Sequence, residues 1–302
     1  MQIHHNPVEV IVQAPAKVNL FFEVIAKRSD GYHEIETLMC PITLFDTLRF
    51  STKSSGDIVF QCNMSLGFSS LNIAESGRVP VDNNNLAVRA VELLKQHAGI
   101  RAGAKLGLIK RIPIAAGLGG GSSDAAAALL AANLAWELNW PLDKLAWLAA
   151  KLGSDVPFFL ASGPAICRGR GEQVEPVGAL GTLHFVIVRP PVGLATESVY
   201  KVCRPAERPL SVMPLVHVLQ QGNKNEAGRM LFNRLLPTAL ALTPWIGRLQ
   251  REFGRLDCLG HGLSGSGSSY FGLCRHARHA RRIARRLQVL NVGSVFAVRS
   301  CR

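Results

Sequence analysis

The sequence has little of what marks several common classes of protein. Charged residues make up 18% of the chain against 48% hydrophobic residues, a balance that excludes disorder and predicts a full core, divided between two domains at this length. The seven cysteines form no Cys-x-x-Cys pair, which argues against a zinc site or a disulfide framework. No apolar run suits a membrane span, and no secretory signal pattern is present. These absences predict a cytoplasmic protein without a membrane partner.

Acidic residues are scarce relative to basic ones. The chain has 21 Asp and Glu against 34 Lys and Arg, a net charge of +13. The surplus fits a general compositional bias, attraction to small polyanionic substrates, or nucleic-acid binding. Part of it lies in residues 275–286, where arginines and alanines repeat with helical spacing. We expect an amphipathic helix there whose arginine face is either solvated or an anion contact.

The most informative segment runs from Pro113 to Asp124 and lacks the lysine of a Walker A motif. Four of the five residues from Gly117 to Gly121 are glycine, and two serines and an alanine-rich helical stretch follow. Glycine lets a loop fold tightly and bring its amides close to a ligand, and a helix start presents unpaired N–H groups to an anion. Because the Walker lysine is missing, the segment predicts a nucleotide site of another kind.

Hydrophobic periodicity predicts alternating strands and helices. Strands are expected at 8–12, 18–25, 44–50, 57–62, 106–112, 183–188, 269–274 and 292–298, with a break at Ala14-Pro15 between the first two. Helices are expected after the asparagines 83–85, after the glycine loop to about residue 139, and at 142–152, 210–220, 226–232 and 240–253. We expect an N-terminal domain over residues 1–165 and a C-terminal domain over 166–302.

Three further segments accompany the glycine loop in a fixed order. They are Pro15-Ala-Lys-Val-Asn-Leu20, Gly153-Ser-Asp-Val-Pro-Phe-Phe159 and Leu263-Ser-Gly-Ser-Gly-Ser-Ser269. The set resembles the GHMP kinase family of small-molecule kinases, which includes galactokinase, homoserine kinase and mevalonate kinase. With Asp30-Gly-Tyr-His-Glu34, it is most similar to the branch that acts on a cytidine diphosphate derivative of methylerythritol in the non-mevalonate isoprenoid pathway.

The resemblance implies a fold and a reaction. The fold would be α+β, with an N-terminal domain like ribosomal protein S5 domain 2, a ferredoxin-like C-terminal domain, and the site in the cleft between them. The reaction would move the γ-phosphoryl group of ATP, with Mg²⁺, to the 2-hydroxyl of the methylerythritol unit. A kinase for homoserine or a mevalonate derivative is the alternative, and a nucleic-acid-binding protein would not explain three phosphate-type loops. Monomer and homodimer both remain open.

Two residues resemble the family's catalytic pair. Asp155 matches the general base that takes the proton of the attacking hydroxyl, and Lys17 matches the lysine that keeps this carboxylate ionised. Pro157 predicts that Val156 leaves the α region, which places Asp155 on a loop at a helix end. The ATP phosphates are assigned to the backbone of Pro113, Ile114, Ala115, Ala116, Gly117, Leu118, Gly119, Gly120, Gly121, Ser122 and Ser123. Ser122 or Ser123 is also a candidate Mg²⁺ contact.

The resemblance also assigns residues to the second substrate. Tyr32 and Tyr200 would stack on the two faces of cytosine, and His33 would hydrogen-bond the edge of the base. The remaining substrate contacts are assigned to Asn19, Thr196, Gly265, Ser266 and Gly267. One departure stands out: the family often carries Asn-Asp-Leu-Glu where this chain reads Asn233-Arg-Leu-Leu236. We therefore expect only a structural role for Asn233.

Overall fold

The computed structural model describes residues 1–64, 79–80 and 84–301. The chain forms two compact units that interleave along the sequence. Unit 1 comprises Met1–Ala16, Leu44–Ile114 and Gly119–Ser162, and unit 2 comprises Lys17–Thr43, Ala115–Leu118 and Gly163–Arg302. The division into domains at residues 165 and 166 stays a prediction. Every helix among the described residues is too short or too polar to cross a bilayer.

Unit 1 combines strands with a layer of three helices. Its strands are β1 (Gln2–His5), the start of β2 (Val10–Lys27), the end of β3 (His33–Lys53), β4 (Ile58–Met64) and β5 (Gly103–Lys110). β1 pairs antiparallel with β2, and β5 pairs antiparallel with β3 and parallel with β4. The helices are α1 (Leu86–Ala98), α2 (Gly120–Ala135) and α3 (Leu142–Leu152), followed by a 3₁₀ turn at Pro157–Leu160. The buried alanines of α2 let α1 pack closely against it.

Several local predictions for unit 1 are confirmed and two are wrong. Asn85 caps α1 by accepting a hydrogen bond from the N–H of Ala87 at 2.9 Å, whereas Asn83 lies outside the described residues. α3 has the predicted bounds. The predicted break at Pro15 is wrong: β2 passes straight through, and Pro15 lies beyond the register of β1, so its missing N–H removes no bond from that pairing. The predicted end of the helix after the glycine loop, at about residue 139, is also wrong. α2 ends at Ala135, because Glu137 and Asn139 adopt left-handed backbone conformations.

Unit 2 contains a four-stranded antiparallel sheet in the order β10-β11-β8-β12. These strands are β8 (His184–Arg189), β10 (Gly260–Leu263), β11 (Tyr270–Cys274) and β12 (Ser294–Arg299). Helices α8 (Pro244–Gly254) and α9 (Ala277–Val289) bury Phe253, Ile283 and Leu287 in one core with the sheet. Helical segments follow the first and third of these strands, which is the ferredoxin-like arrangement. The predicted α+β class and ferredoxin-like region are confirmed.

The rest of unit 2 carries the remaining strands and helices. They are β6 (Ala165–Gly169), β7 (Gln173–Pro176), β9 (Phe232–Asn233), α4 (Thr196–Val202), α5 (Met213–Gln220), α6 (Lys224–Arg229) and α7 (Leu236–Leu242). β6 pairs antiparallel with β3 and β7, and β9 pairs parallel with β2. The helix expected at 240–253 is two helices, because Thr243 leaves the helical conformation and caps α8. The arginine face of α9 is exposed, as predicted: Arg278, Arg281, Arg282, Arg285 and Arg286.

A buried ion cluster ties β5 to the start of α2. Lys110, at the end of β5, forms salt bridges with Asp46 and with Asp124, the second at 2.6 Å, and all three side chains are at most 5% exposed. A Cβ added at Gly120 would lie 2.9 Å from both Lys110 Nζ and Ile112 Cγ2, so a larger residue at the start of the helix would force these buried side chains to shift. Burial acts to raise the pKa of Asp124, and the neighbouring Asp46 carboxylate adds to this; against the opposing effect of Lys110, that pKa reaches about 8.

This raised pKa predicts a loss of stability with rising pH. Asp124 in the unfolded chain has its ordinary pKa of 3.8, so between about pH 4 and pH 8 the folded state holds a proton that the unfolded state releases. The free energy of unfolding should therefore fall by about 3–4 kcal/mol from pH 5 to pH 8, because the two states differ by nearly one bound proton over most of this range. Asp124→Asn should remove most of this decline in denaturant titrations. Asp143→Asn, at an exposed residue of α3, should keep it, and an unchanged decline in Asp124→Asn would contradict the assignment.

A second buried carboxylate, in unit 2, gives a structural reason for the arginine at position 234, where the family often has an aspartate. Glu23 on β2 is fully buried and accepts two hydrogen bonds from the guanidinium of Arg234, at 2.7 and 2.8 Å. It also accepts one from the N–H of Leu210 at 3.0 Å. Burial acts to raise the pKa of Glu23, but Arg234 and the backbone N–H groups outweigh it, so the pKa lies below its ordinary value. An arginine at 234 therefore balances a charge inside this unit.

Removal of Arg234 should leave Glu23 as an uncompensated buried charge. We expect Arg234→Met to lower the free energy of unfolding at pH 7 by about 2–4 kcal/mol, measured by denaturant titration. Adding Glu23→Gln should restore part of that loss, because a neutral amide buries no charge and its single oxygen still accepts one of the two backbone hydrogen bonds. Arg229→Met, at an exposed arginine of α6, is the matched control. A double variant that is less stable than Arg234→Met would show that the pair does not act as described.

Candidate active site

The glycine-rich segment spans the end of β5 and the start of α2. Gly117 and Gly119 both have φ of 70°, and Gly119 is the N-cap of α2 without a side-chain capping bond. The amides of the first helical turn are therefore not satisfied by a capping side chain, and the residues there carry no bulky group. A helix start of this kind binds anions through its N–H groups and its dipole. The predicted phosphate-binding character of residues 113–123 rests on this local geometry.

Residues 115–118 are held on two sides within unit 2. Leu118 accepts a backbone hydrogen bond from Lys17 at 3.0 Å, and Ala116 accepts one from Ser269 at 3.0 Å. The hydroxyl of Ser264 donates to the carbonyl oxygen of Gly117 at 2.9 Å. A Cβ at Gly117 would lie 2.1 Å from the carbonyl oxygen of Ser264. Glycine is thus required at 117 both by its left-handed φ and by this close approach.

Lys17 is buried, and its ammonium lies beside Asn19 and Gly265. The side chain is 3% exposed, and its Nζ donates to Asn19 Oδ1 at 2.7 Å. Asn19 donates to the hydroxyl of Thr37 at 2.8 Å, and Thr37 donates to the carbonyl oxygen of Phe21 at 2.6 Å. A Cβ at Gly265 would lie 3.1 Å from Lys17 Nζ. The predicted residues Lys17, Asn19 and Gly265 are therefore neighbours.

The loop of residues 264–269 is fixed by partners from elsewhere in unit 2. Asn233 donates to the carbonyl oxygens of Leu263 and Gly265, both at 2.9 Å. The hydroxyls of Thr196 and Ser266 lie 3.0 Å apart. Asn233 therefore positions the loop, in agreement with the structural role expected for it, and the two predicted substrate contacts Thr196 and Ser266 adjoin each other.

The residues assigned to a nucleoside form one ring pair and one separate ring. The rings of His33 and Tyr200 lie 5.1 Å apart between centroids. Burial and the charge of Lys27 lower the pKa of His33, so its imidazole is neutral at pH 7. Tyr32 is 52% exposed, and the guanidinium carbon of Arg170 lies 4.8 Å from its ring centroid. Flat, partly open rings of this kind suit a heterocyclic base.

Asp155 belongs to unit 1 and lies between α3 and the 3₁₀ turn. It is half-buried, on a turn in which Val156 donates its N–H to the carbonyl oxygen of Gly153 at 3.2 Å. The prediction that Pro157 excludes Val156 from the α region is wrong, since Val156 has φ −66° and ψ −43°. The turn hydrogen bond and the 3₁₀ turn that begins at Pro157 hold that conformation. Asp155 is still on a non-helical connection at the end of α3.

The two serines after the glycines differ in access. Ser122 is half-buried, whereas Ser123 is fully buried and its hydroxyl has no hydrogen-bond partner among the described residues. No cluster of three His, Cys, Asp or Glu side chains suited to a metal ion occurs in the described part of the chain. Mg²⁺ usually keeps several waters and takes few ligands from the protein when substrate phosphates are present, so a single serine hydroxyl fits such an ion. Ser122 is the more accessible of the two hydroxyls.

Sequence reasoning missed several residues of this region. Thr37 completes the chain of hydrogen bonds from Lys17, Arg170 covers the ring of Tyr32, and Lys110 with its two carboxylates anchors the start of α2. An isolated threonine in a strand carries no local signal of such a contact. The Gly- and Arg-rich stretch of residues 163–171 was visible in the sequence, but its pairing with Tyr32 depends on strand register.

Comparisons with known proteins identify the family. Residues 85–163 match the model of the GHMP kinases N terminal domain, and residues 215–290 match that of the GHMP kinases C terminal. A 4-diphosphocytidyl-2-C-methyl-D-erythritol kinase of Pelotomaculum thermopropionicum is 39% identical over 275 residues, which are 90% of this chain and 92% of the relative.

Solved structures agree with this assignment. A crystal structure of 4-(cytidine 5'-diphospho)-2C-methyl-D-erythritol kinase superposes with a TM-score of 0.80 at 37% identity, over 97% of this chain and 99% of that one. A homoserine kinase from Cytophaga hutchinsonii gives a TM-score of 0.72 at 19% identity, over 100% of this chain and 97% of that one, which shows the shared fold alone. This chain belongs to the GHMP kinases and, within them, to the 4-diphosphocytidyl-2-C-methyl-D-erythritol kinase family.

Proposed function

We propose that the chain transfers the γ-phosphoryl group of ATP to the 2-hydroxyl group of 4-diphosphocytidyl-2-C-methyl-D-erythritol, giving ADP and the 2-phosphate. The observation that carries this proposal is the convergence of Lys17, residues 115–118 and the 264–269 loop within unit 2. A buried ammonium beside the 264–269 loop, which itself packs against residues 115–118, suits phosphate groups, because backbone N–H groups and a positive charge both stabilise an anion. The names of the relatives supply the acceptor.

The nucleoside residues favour a cytidine substrate over homoserine or mevalonate. Those two acceptors have no heterocyclic base, so they give no use to an exposed Tyr32 or to the ring pair of His33 and Tyr200. Cytosine presents an amino donor on one edge, and a neutral imidazole keeps one nitrogen free to accept a hydrogen bond. In this role His33 reads the edge of the base while the tyrosine rings contact its faces.

The chemical step needs positioning and charge neutralisation more than covalent chemistry. In the proposed mechanism Asp155 accepts the proton of the attacking 2-hydroxyl, and Lys17 stabilises negative charge on the transferred phosphoryl group. The amides of residues 115–123 hold the triphosphate. Mg²⁺ bound with ATP supplies further positive charge, and Ser122, or Ser123 after a local rearrangement, would hold it through a hydroxyl oxygen.

The acceptor can be tested directly. In an ATP-coupled assay with 4-diphosphocytidyl-2-C-methyl-D-erythritol, mevalonate and homoserine, we expect kcat/KM for the first to exceed the others by at least about 10²-fold. The physical reason is that buried groups built to bind a base are left unpaired by a small acceptor. Cytidine diphosphate should compete with the acceptor and not with ATP. A preference for homoserine or mevalonate would overturn the proposal.

The catalytic roles can be tested by two variants. Asp155→Asn and Lys17→Met should each lower kcat by at least about 10²-fold, because each removes a group that acts on the transition state. The ATP dissociation constant, measured by calorimetry, should stay within roughly tenfold of that of the unmodified chain. Asp143→Asn and Lys105→Met, at exposed positions of unit 1, are matched controls. Near-normal turnover of either test variant would refute that residue's role.

A further inference from the structure

The loop between β2 and β3 is a rigid turn that presents Tyr32. Arg28 donates its backbone N–H to the carbonyl oxygen of Tyr32 at 2.8 Å, and Asp30 accepts from the N–H of Tyr32 at 3.1 Å. The Arg28 guanidinium also bonds Glu34 at 2.7 Å. These bonds fix the backbone of Tyr32, but more than half of the residue is exposed. Packing alone therefore leaves the direction of the ring weakly determined.

Arg170 supplies the missing constraint on the ring. Its guanidinium carbon lies 4.8 Å from the centroid of the Tyr32 ring, within the range of a cation–π contact. Glu172 orients Arg170 from behind: its Oε2 accepts the Arg170 backbone N–H at 2.7 Å and lies 3.7 Å from Arg170 Nε. The turn that carries Arg170 and the loop that carries Tyr32 are also joined, because Gly169 donates its N–H to Glu34 at 3.1 Å.

Because the guanidinium of Arg170 is planar, its contact with Tyr32 can restrict the orientation of the ring. A guanidinium covers one side of an aromatic ring as a flat group, whereas an ammonium is a strongly hydrated point charge. Since Glu172 offsets the charge of Arg170, the main effect of Arg170 is to hold the ring in one orientation. A ring held in advance loses less freedom when a ligand binds, and this raises affinity. The uncovered surface of Tyr32 remains open to a second flat group.

We propose that Arg170 is a positioning residue that fixes Tyr32 as a stacking platform for the pyrimidine base of the nucleotide substrate. This inference rests on the proposed function, and Arg170 acts through Tyr32 without contact with the reacting atoms. Arg170 therefore contributes to binding of the cytidine end, and neither to ATP binding nor to the chemical step. Loss of Arg170 raises KM for the nucleotide acceptor, while kcat and KM for ATP stay constant.

A double-mutant cycle with cytidine 5'-diphosphate as the probe tests this coupling. By calorimetry, Arg170→Met and Arg170→Lys should each weaken binding of the probe about three- to tenfold, and Tyr32→Leu should weaken it at least about tenfold. In the Tyr32→Leu background, Arg170→Met should have no further effect. Additive losses, or full affinity in Arg170→Lys, would show that Arg170 attracts the diphosphate through its charge and would overturn the proposal.

Controls separate this proposal from the function on which it rests. Arg281→Met, on the exposed face of α9, should leave probe binding unchanged, and thermal unfolding of each variant reports whether the fold persists. If the unmodified chain binds no cytidine diphosphate and phosphorylates another acceptor, the proposed function itself fails. If the unmodified chain binds it and Arg170→Met binds it equally well, the role of Arg170 alone fails.

Discussion

The geometry of unit 2 depends on the close approach of Gly117 to the backbone of Ser264. No side chain fits between them, since a Cβ at 117 would lie 2.1 Å from the carbonyl oxygen of Ser264. The contact holds residues 115–118 against the 264–269 loop, and the backbone of Lys17 closes the other side. The glycine at 117 is thus needed for packing between backbones. The proposed phosphate contacts would depend on the same absence of a side chain.

Each of the two units contains a buried charged side chain that is paired with an opposite charge. In unit 1, Lys110 is paired with the carboxylate of Asp46 and bonds the carboxyl group of Asp124, and in unit 2 the carboxylate of Glu23 is paired with Arg234. Both are structural ion pairs, because each charge ends on a partner in the protein. The ammonium of Lys17 donates to the amide oxygen of Asn19 and lies beside Gly265. The sequence alone does not predict these neighbours of the two buried lysines, because they come from distant segments of the chain.

Local pattern predicted the elements whose structure is set by near neighbours in the chain. The arginine face of α9, the bounds of α3 and the cap at Asn85 follow from spacing and capping rules. The passage of β2 through Pro15 was missed, because it depends on where β1 stops pairing. Contacts such as that of Arg170 with Tyr32 join residues far apart in sequence, so they depend on strand register. The motifs predicted a set of candidate site residues, but not the contacts that hold those residues in place.

In the proposed function, the protonation state of His33 connects the fold with the recognition of cytosine. Burial lowers the pKa of His33, and the positive charge of Lys27 lowers it further. A protonated imidazole would offer two donors and no acceptor, so it would not accept the amino group of cytosine. In the proposed function, a neutral imidazole offers cytosine an acceptor at neutral pH. Burial, to which the neighbouring Tyr200 ring contributes, and the charge of Lys27 both favour this neutral form.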